Sequence, residues 1–170
     1  MIRLTERLRL APPVPADVQA HFEIHGDPET NMFNPAGPCG SLEESHVAVG
    51  EWIEHWQRAG YGYWAVSEQA GGPVIGFGGI VRRDYGEGPV LNLYYRFRPR
   101  VWGRGYAREM AAEAIRLAGE LELTESIVAV INEENVPSVR TAERVGLRFA
   151  KIIKLPRGER LQYRYVTPAE

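Results

Sequence analysis

The sequence predicts a mixed α/β (α+β) fold, in which helices flank a mostly antiparallel central sheet. About seven short segments alternate in polarity or are continuously apolar, as strands are. About four longer segments repeat apolar residues with the helical period. Between residues 90 and 131 a strand, a helix and a second strand follow one another, which predicts one parallel pair. This order of elements excludes a doubly wound Rossmann fold and a helical bundle.

The N-terminal part predicts a strand and a short helix before a long loop. Residues 3–10 alternate apolar and charged side chains and predict the first strand, which a cluster of prolines ends. Asp17 caps a helix that extends to about Gly26. Residues 27–41 are rich in proline, glycine and asparagine and predict a loop.

A longer helix and three strands follow the loop. Ser41 and Glu44 have the spacing of a capping box, and they start a helix that extends to about Ala59. The Gly-Tyr-Gly break at residues 60–62 then leads into an antiparallel meander with two hairpin-like turns. The predicted strands of this meander are residues 63–68, 74–83 and 90–98.

The C-terminal part alternates helices and strands. A stripe of small and apolar residues predicts a helix over 105–120, and an apolar run predicts a buried strand over 126–131. Pro137 near the first turn and Gly146 after the last turn bound a helix over 137–145. Two further strands are predicted at residues 148–154 and 161–166.

Length, composition and charge narrow the class of protein. The chain has 170 residues, 44% hydrophobic and 25% charged, which predicts a single domain over residues 1–170. It has no apolar run near the roughly 20 residues of a membrane span, and residues 1–7 lack a signal-peptide core, so we expect a cytoplasmic protein without membrane contact. One cysteine, Cys39, and four scattered histidines offer no metal-ligand spacing. The net charge of −2 argues against a nucleic-acid partner.

The sharpest local feature is a glycine-rich turn from Arg100 to Ala107, between a strand and a helix. Gly103 and Gly105 let the backbone turn tightly and approach a ligand, and the following helix presents free N–H groups. Five arginines and no acidic residue lie between Arg96 and Arg108. Together these features predict an anion-binding site, although a solvated charged face and a purely steric use of glycine remain alternatives. The period-two spacing of three of the arginines predicts that they share one strand face: Arg96, Arg98 and Arg100.

The turn matches neither a Walker loop nor the dinucleotide GxGxxG pattern. Its Arg-x-x-Gly-x-Gly pattern is followed about 30 residues later by Asn135-Val-Pro-Ser138 at a helix start and by Gly146-Leu-Arg-Phe149 at its end. With these motifs the sequence resembles the GNAT superfamily of N-acetyltransferases, and more narrowly its RimJ/RimL-like branch. The resemblance covers nearly the whole chain and includes three further segments: residues 5–10, 64–66 and 74–80.

This resemblance implies the GNAT fold, with a splayed parallel strand pair, and acetyl-CoA as cosubstrate, without a metal. It implies that backbone groups of Phe97 and Arg98 contact the pantetheine arm. Trp102 has the alternative role of packing under the turn, and Arg104 that of a solvent-exposed charge. The contacts implied for the pyrophosphate come from Arg100, Val101, Trp102, Gly103, Arg104, Gly105, Tyr106 and Ala107.

Two residues at the start of the helix after the buried strand complete the implied site. The resemblance implies that Asn135 hydrogen-bonds the pantetheine and that Ser138 protonates the leaving thiolate. Both residue types are also common helix caps, which is the alternative for each.

The reaction implied is the direct attack of a primary amine on the thioester, through a tetrahedral intermediate. Backbone N–H groups of residues 94–97 are the candidate donors to its oxyanion. Several relatives carry a glutamate base where this chain has Asn92, so the base stays open among other residues. Tyr94 is a candidate catalytic residue, and the alternative is that its ring only packs within the fold. The candidates for the base are Glu87, Asp84, His46 and Tyr94.

The acceptor is expected to be either a protein N-terminal amine or a small-molecule amine. It would lie between the early helices and the central strands, against residues 27–41 and three tyrosines, Tyr61, Tyr63 and Tyr85. Two alternatives remain: a non-catalytic acyl-CoA sensor on the same fold, and an unrelated phosphate-binding module. A homodimer is implied by analogy alone.

Overall fold

The computed structural model describes residues 1–155 and 158–165, and these residues form one sheet with helices on both faces. The helices are α1 (Val18–His25), α2 (Leu42–Ala59), α3 (Tyr106–Glu120) and α4 (Val136–Arg144). The strands are β1 (Arg3–Leu4), β2 (Leu8–Ala11), β3 (Tyr63–Glu68), β4 (Gly76–Asp84), β5 (Pro89–Phe97), β6 (Ile127–Ile131), β7 (Leu147–Leu155) and β8 (Gly158–Tyr165).

The sheet has the spatial order β1-β2-β3-β4-β5-β6-β8-β7. Neighbouring strands are antiparallel, except that β5 and β6 run parallel. This parallel pair is joined only where Leu91 faces Ile127 and Asn92 faces Val128, so the strands separate beyond these positions. The predicted fold class, with its mostly antiparallel sheet, splayed parallel pair and four helices, is confirmed.

The N-terminal strand prediction is wrong in one respect. The run 3–10 contains two short strands, because the chain reverses after Leu4 and β1 pairs with β2. The Thr5 N–H donates to the Leu8 carbonyl at 2.9 Å and closes this reversal. Alternating polarity continues through such a tight turn, so the period alone cannot reveal it. The described part of the sheet therefore has eight strands instead of about seven, and the last predicted strand residue, Val166, lies outside the described residues.

Each face of the sheet has its own apolar core. On one face α3 packs Met110 and Ala114 of its apolar stripe against buried side chains of the central strands: Trp64, Ile80 and Leu91. On the other face a smaller cluster joins α1 to β3 and β4 through Ile24, Ala65 and Phe77. The helix α2 packs on α1 and adds Trp52 to this cluster.

The start of α2 has one of the two hydrogen bonds of the predicted capping box. The Ser41 hydroxyl accepts the Glu44 N–H at 3.2 Å. The Glu44 carboxylate accepts the N–H of Gly40, at 2.9 Å, instead of that of Ser41. A left-handed residue, Gly60 with φ 75°, ends the helix, and β3 then begins at Tyr63.

Two glycines of β4 allow close approach between the sheet and its neighbours. A side chain at Gly78 would lie 2.5 Å from the Met110 methyl group, so this glycine lets α3 approach the sheet. Gly79 has a φ of +148°, and a Cβ there would lie 2.3 Å from the Gly62 carbonyl oxygen. Gly79 pairs with Tyr94 of β5, so the glycines adjoin the site described next.

Candidate functional site

The glycine turn forms the start of α3. A 3-10 turn at Pro99–Val101 follows β5, and Gly103 and Gly105 then have φ values of +76° and +80°. Such values favour glycine, so both glycines have a conformational reason to be present. The first backbone bond of the helix runs from the Glu109 N–H to the Gly105 carbonyl, at 3.0 Å. The backbone N–H groups that precede Glu109 in the first turn therefore have no carbonyl acceptor within the helix. Such free N–H groups are what an anion-binding helix terminus requires.

Residues near the N-terminus hold this turn in place. Arg7 donates to the Arg104 carbonyl at 2.8 Å and to the Glu109 carboxylate at 2.7 Å. Thr5 also donates to Glu109, at 2.5 Å. Burial acts to raise the pKa of Glu109, but these hydrogen bonds outweigh it and lower the pKa below its ordinary value. An ionised Glu109 thus braces the turn from within the protein.

The arginines of the turn do not share one face as the sequence predicts. The strand ends at Phe97, since Pro99 cannot continue a strand ladder, so Arg100 lies in the turn. Arg98 bonds the Val74 carbonyl at 3.0 Å and Glu23 of α1 at 2.7 Å, away from the turn. Arg100 and Arg104 line a cavity of about 180 Å³ beside the turn, together with Glu68, Gly71, Pro73, Ile75 and Val101.

Trp102 lies across the end of β5 rather than under the turn. Its indole N–H donates to the Phe97 carbonyl at 2.8 Å, and the side chain is 47% exposed. Both backbone groups of Arg98 are also bonded within the protein, to Ile75 and Val101. Phe97 and Arg98 are the two strand-end residues predicted to contact a pantetheine. Of these, Phe97 is the better placed, because its backbone N–H is available to a ligand. Tyr106 donates its hydroxyl to Glu68 at 2.8 Å, so it can offer only its backbone amide to a ligand.

The backbone of β5 presents polar groups to the gap beside β6. The Leu91 N–H donates to Ser126 on the β6 side, whereas the Arg98 N–H donates to Ile75 on the β4 side. Backbone groups alternate along a strand, so odd-numbered residues of β5 face β6. Because the pairing with β6 ends at Asn92, the amides of Tyr95 and Phe97 face the gap.

The start of α4 lies across this gap. The Asn135 side-chain oxygen accepts the Ser138 N–H at 3.2 Å, so Asn135 caps α4, as the alternative to a ligand contact predicts. The Asn135 side-chain amide nitrogen remains able to donate to a ligand. Tyr95, which the sequence analysis did not single out, donates its hydroxyl to the Ser138 carbonyl at 3.1 Å. Burial raises the pKa of Tyr95 to about 12, so it stays protonated and bridges the gap.

A second cavity of about 480 Å³ opens on the opposite face of the sheet. We refer to it as the α1–α2 cleft. Aromatic and polar side chains from both helices and from β3 to β5 line it, among them His21, His25, Trp52, Tyr63, Tyr94 and Arg96. Residues 34 and 36–39, from the loop predicted to form a wall of the acceptor site, form one wall of this cleft. Of the three tyrosines predicted to line an acceptor site, Tyr63 lies on this lining.

Tyr94 is hydrogen-bonded to a buried histidine at the floor of this cleft. The His25 Nδ1 lies 3.0 Å from the His21 carbonyl, which can only accept, so Nδ1 carries the proton. The His25 Nε2 is then an acceptor, and the Tyr94 hydroxyl donates to it at 2.6 Å. The Tyr94 oxygen consequently keeps its lone pairs for a further donor in the cleft.

His21 and His25 are stacked, with ring centroids 3.8 Å apart. Burial, followed by the nearby charge of Arg96, lowers the pKa of His21 to about 4. Burial, His21 and Arg96 lower the pKa of His25 to about 2. Both imidazoles are therefore neutral at physiological pH. The spacing of these histidines predicts no metal site, but a separation of four residues on a helix places both of them on one face.

Asn92, at the position where the resemblance implies a glutamate base, joins two tyrosines. It accepts the Tyr85 hydroxyl at 2.9 Å and donates to the Tyr63 hydroxyl at 3.0 Å. Burial raises the pKa of both Tyr63 and Tyr85, so neither is ionised near neutral pH.

The other candidates for a base lie outside the α1–α2 cleft or have other contacts. Asp84 accepts the backbone N–H groups of Gly86 and Gly88, at 2.7 and 3.1 Å, in the β4–β5 turn. Glu87 is paired with Lys151, which lowers the pKa of this carboxyl. His46 is exposed on α2. Tyr94 is thus the candidate that reaches the cleft.

Comparison with known proteins identifies the class of protein that this fold and site define. A family model of the acetyltransferase (GNAT) domain matches residues 7–148. The chain therefore belongs to the GNAT acetyltransferase family, and the predicted family is confirmed. No helix in the described part of the chain is long and apolar enough to cross a membrane.

Individual proteins are similar to this one, and the two solved structures among them are described as acetyltransferases. The uncharacterized protein YkkB of Bacillus subtilis (strain 168) is 31% identical over 108 residues, which are 61% of this chain and 63% of that protein. The match thus spans less than two thirds of that relative. An acetyltransferase from Agrobacterium tumefaciens str. C58 is 26% identical, with a TM-score of 0.80 over 98% of this chain and 95% of that one. A Vibrio cholerae protein described as a ribosomal-protein-serine acetyltransferase is 19% identical, with a TM-score of 0.75 over 98% of both chains.

Proposed function

We propose that this protein is an N-acetyltransferase that moves the acetyl group of acetyl-CoA to a primary amine. The observation that carries the proposal is the position of the glycine turn, with its free amides, directly beside the gap between β5 and β6. The gap offers backbone donors from Tyr95 and Phe97, and the α1–α2 cleft reaches the same strand from the opposite face.

The turn fits the phosphate groups of acetyl-CoA. Its amides at the start of α3 and the side chains of Arg100 and Arg104 would bind the pyrophosphate, because the helix terminus and the arginines both favour anions. The Asn135 side-chain amide would donate to a pantetheine carbonyl across the gap. The acyl carrier supplies the thioester that the amine attacks.

The side chains around the gap support the transfer itself. The neutral amine would attack the acetyl carbon to form the tetrahedral intermediate, and the bond from carbon to sulfur breaks as this intermediate collapses. The proton that the amine nitrogen loses would pass through water and replace the one that Ser138 gives to sulfur. The N–H of Tyr95 would stabilise the negative charge that develops on the carbonyl oxygen. The Ser138 hydroxyl would give its proton to the leaving sulfur. Tyr94 would accept a hydrogen bond from the incoming amine and orient it, because its own proton is directed to His25.

The first experiment is acetyl transfer from isotope-labelled acetyl-CoA to a panel of peptides, amino acids, polyamines and aminoglycosides, measured by mass spectrometry. For the best acceptor, we expect Ser138→Ala to lower kcat by about 100-fold, the scale of lost general acid catalysis. The matched control is Ser126→Ala, because Ser126 is exposed and uses only its backbone in the sheet.

Two outcomes would contradict the proposal. Bound acetyl-CoA without any labelled product would favour the non-catalytic acyl-CoA sensor, which the replacement of a glutamate by Asn92 supports. Absence of acetyl-CoA binding would contradict the assignment of the turn at Gly103 and Gly105.

A further inference from the structure

Arg96 is a half-buried cation in the α1–α2 cleft that lacks an acidic partner among the described residues. One guanidinium nitrogen donates to the Asn31 side-chain oxygen at 2.5 Å. The guanidinium carbon lies 6.0 Å from the centroid of the Tyr94 ring. By contrast, Arg98, which follows the end of β5, pairs with Glu23. A guanidinium has five N–H donors, and those of Arg96 that Asn31 does not use remain available on the cleft lining, which indicates a site for an anion.

The rest of the cleft is short of negative charge. The two histidines beside Arg96 are neutral, as their hydrogen bonds and burial require. Arg83 adds a second positive charge to the lining. The described lining contains one carboxylate, Glu44, and this group accepts the Gly40 N–H at 2.9 Å. A polycationic acceptor would therefore be repelled by the positive charge of the cleft lining.

We propose that the acceptor carries a carboxylate beside its primary amine, and that Arg96 binds this carboxylate in the α1–α2 cleft. The inference rests on the proposed acetyl transfer and names the chemical class of its acceptor. A guanidinium can give two parallel hydrogen bonds to a carboxylate, which fixes the orientation of the acceptor as well as its affinity.

The geometry of β5 supports this pairing of groups. Tyr94 and Arg96 are two residues apart on one strand face, so their Cα atoms are about 7 Å apart. Tyr94 would hold the amine and Arg96 the carboxylate, so the two groups of the acceptor lie within one small molecule or within the first residues of a peptide. A free amino acid and a peptide with an acidic second residue share this chemistry.

The test compares acceptors in matched pairs with purified protein and saturating acetyl-CoA. One arm uses amino acids and their α-amides, and the other uses peptides with glutamate or glutamine at position two. Each pair is measured with wild type, Arg96→Gln, Arg96→Lys and the control Arg9→Gln, an exposed arginine on β2. The difference in amine basicity within a pair cancels when its selectivity ratio is compared between variants.

We expect wild type to prefer the carboxylate member of the pair in one of the two arms, and that arm identifies the source of the anion. Arg96→Gln should lower kcat/KM for the carboxylate acceptor by about 10- to 100-fold, mainly through KM, as the loss of a charge-assisted bond implies. The neutral member should change by less than about threefold, Arg96→Lys should restore part of the preference, and Arg9→Gln should behave as wild type.

The inference is overturned if amides or polyamines are acetylated as well as the acids, or if Arg96→Gln lowers both members of a pair alike. If no acceptor is turned over, calorimetry with N-acetyl amino acids and their amides on CoA-saturated protein provides a second readout. Binding selective for the acid and lost in Arg96→Gln would retain the anion site while contradicting the transferase. Equal or absent binding of acid and amide would overturn the anion site.

Discussion

Gly79 shows how one residue controls the packing beside the α1–α2 cleft. Its φ of +148° is unfavourable for other residues, and a Cβ would lie 2.3 Å from a backbone oxygen of Gly62. A backbone atom cannot move aside as the end of a flexible side chain can. Replacement would therefore strain β4 directly opposite Tyr94.

We expect Gly79→Ala to lower the free energy of unfolding by at least about 2 kcal/mol, from the sum of backbone strain and overpacking. Gly50→Ala is the matched control, because a Cβ at Gly50, within α2, meets nothing within 4 Å. That change should stabilise the protein by about 0.4–1 kcal/mol. Urea denaturation with an unchanged m-value measures both effects. A neutral Gly79→Ala variant would contradict the strain argument.

At the scale of the element, α1 owes its place on the sheet partly to two uncharged histidines. His21 and His25 are 3% and 8% exposed and stack on each other against Trp52 and Phe77. Their pKa values in the folded protein lie below the ordinary value of 6.5. The unfolded chain therefore binds protons more readily than the folded one between pH 6.5 and about 4.

Because the unfolded state takes up these protons, stability should fall as the pH falls below 6.5. At pH 5 the loss should be on the order of 2 kcal/mol for each histidine, relative to pH 7.5. The variant His21→Gln/His25→Gln lacks both groups and should lose less stability over the same range. Denaturation of both proteins at a series of pH values gives this difference. Parallel losses in wild type and variant would show that the pair does not titrate with folding.

Elements that depend on contacts between residues close in sequence could be predicted, whereas contacts between residues far apart in sequence could not. Ser41 at the start of α2 and Pro137 and Gly146 around α4 act within a few residues, so those helices were predicted to within a few positions. The reversal after Leu4 was missed because polarity continues to alternate through it. The bond between His25 and Tyr94 joins residues 69 apart in sequence. Only the tertiary fold brings such partners together, so spacing in the sequence carries no signal for it.

For the whole molecule, binding of acetyl-CoA should raise thermal stability. A ligand at 100 times its Kd stabilises the folded state by about 2.7 kcal/mol, which corresponds to a rise in Tm of about 5–10 °C for a protein of this size. The double variant Arg100→Gln/Arg104→Gln should reduce the rise at the same ligand concentration, whereas Arg58→Gln on α2 should not. Differential scanning fluorimetry measures each Tm. An identical rise in the double variant would show that these arginines do not bind the phosphates.

All described helices pack on one continuous sheet, which supports the proposal of a single domain over residues 1–170. The proposed cosubstrate contacts lie at the start of α3 and α4, while the α1–α2 cleft lies on the opposite face. β5 takes part in both, through alternate residues such as Tyr95 and Arg96.

This division has a consequence for how such proteins diversify. Under the proposed function, consecutive residues of β5 would contact different molecules. A substitution at an even-numbered position would then alter the preferred amine, while the odd-numbered neighbours keep their backbone groups toward the gap. Substitutions on the α1–α2 face would then change the acceptor and leave the proposed acetyl-CoA contacts in place. The alternation of β5 therefore separates the residues proposed to contact the acetyl donor from those proposed to contact the acceptor, so the second set can change while the first stays the same.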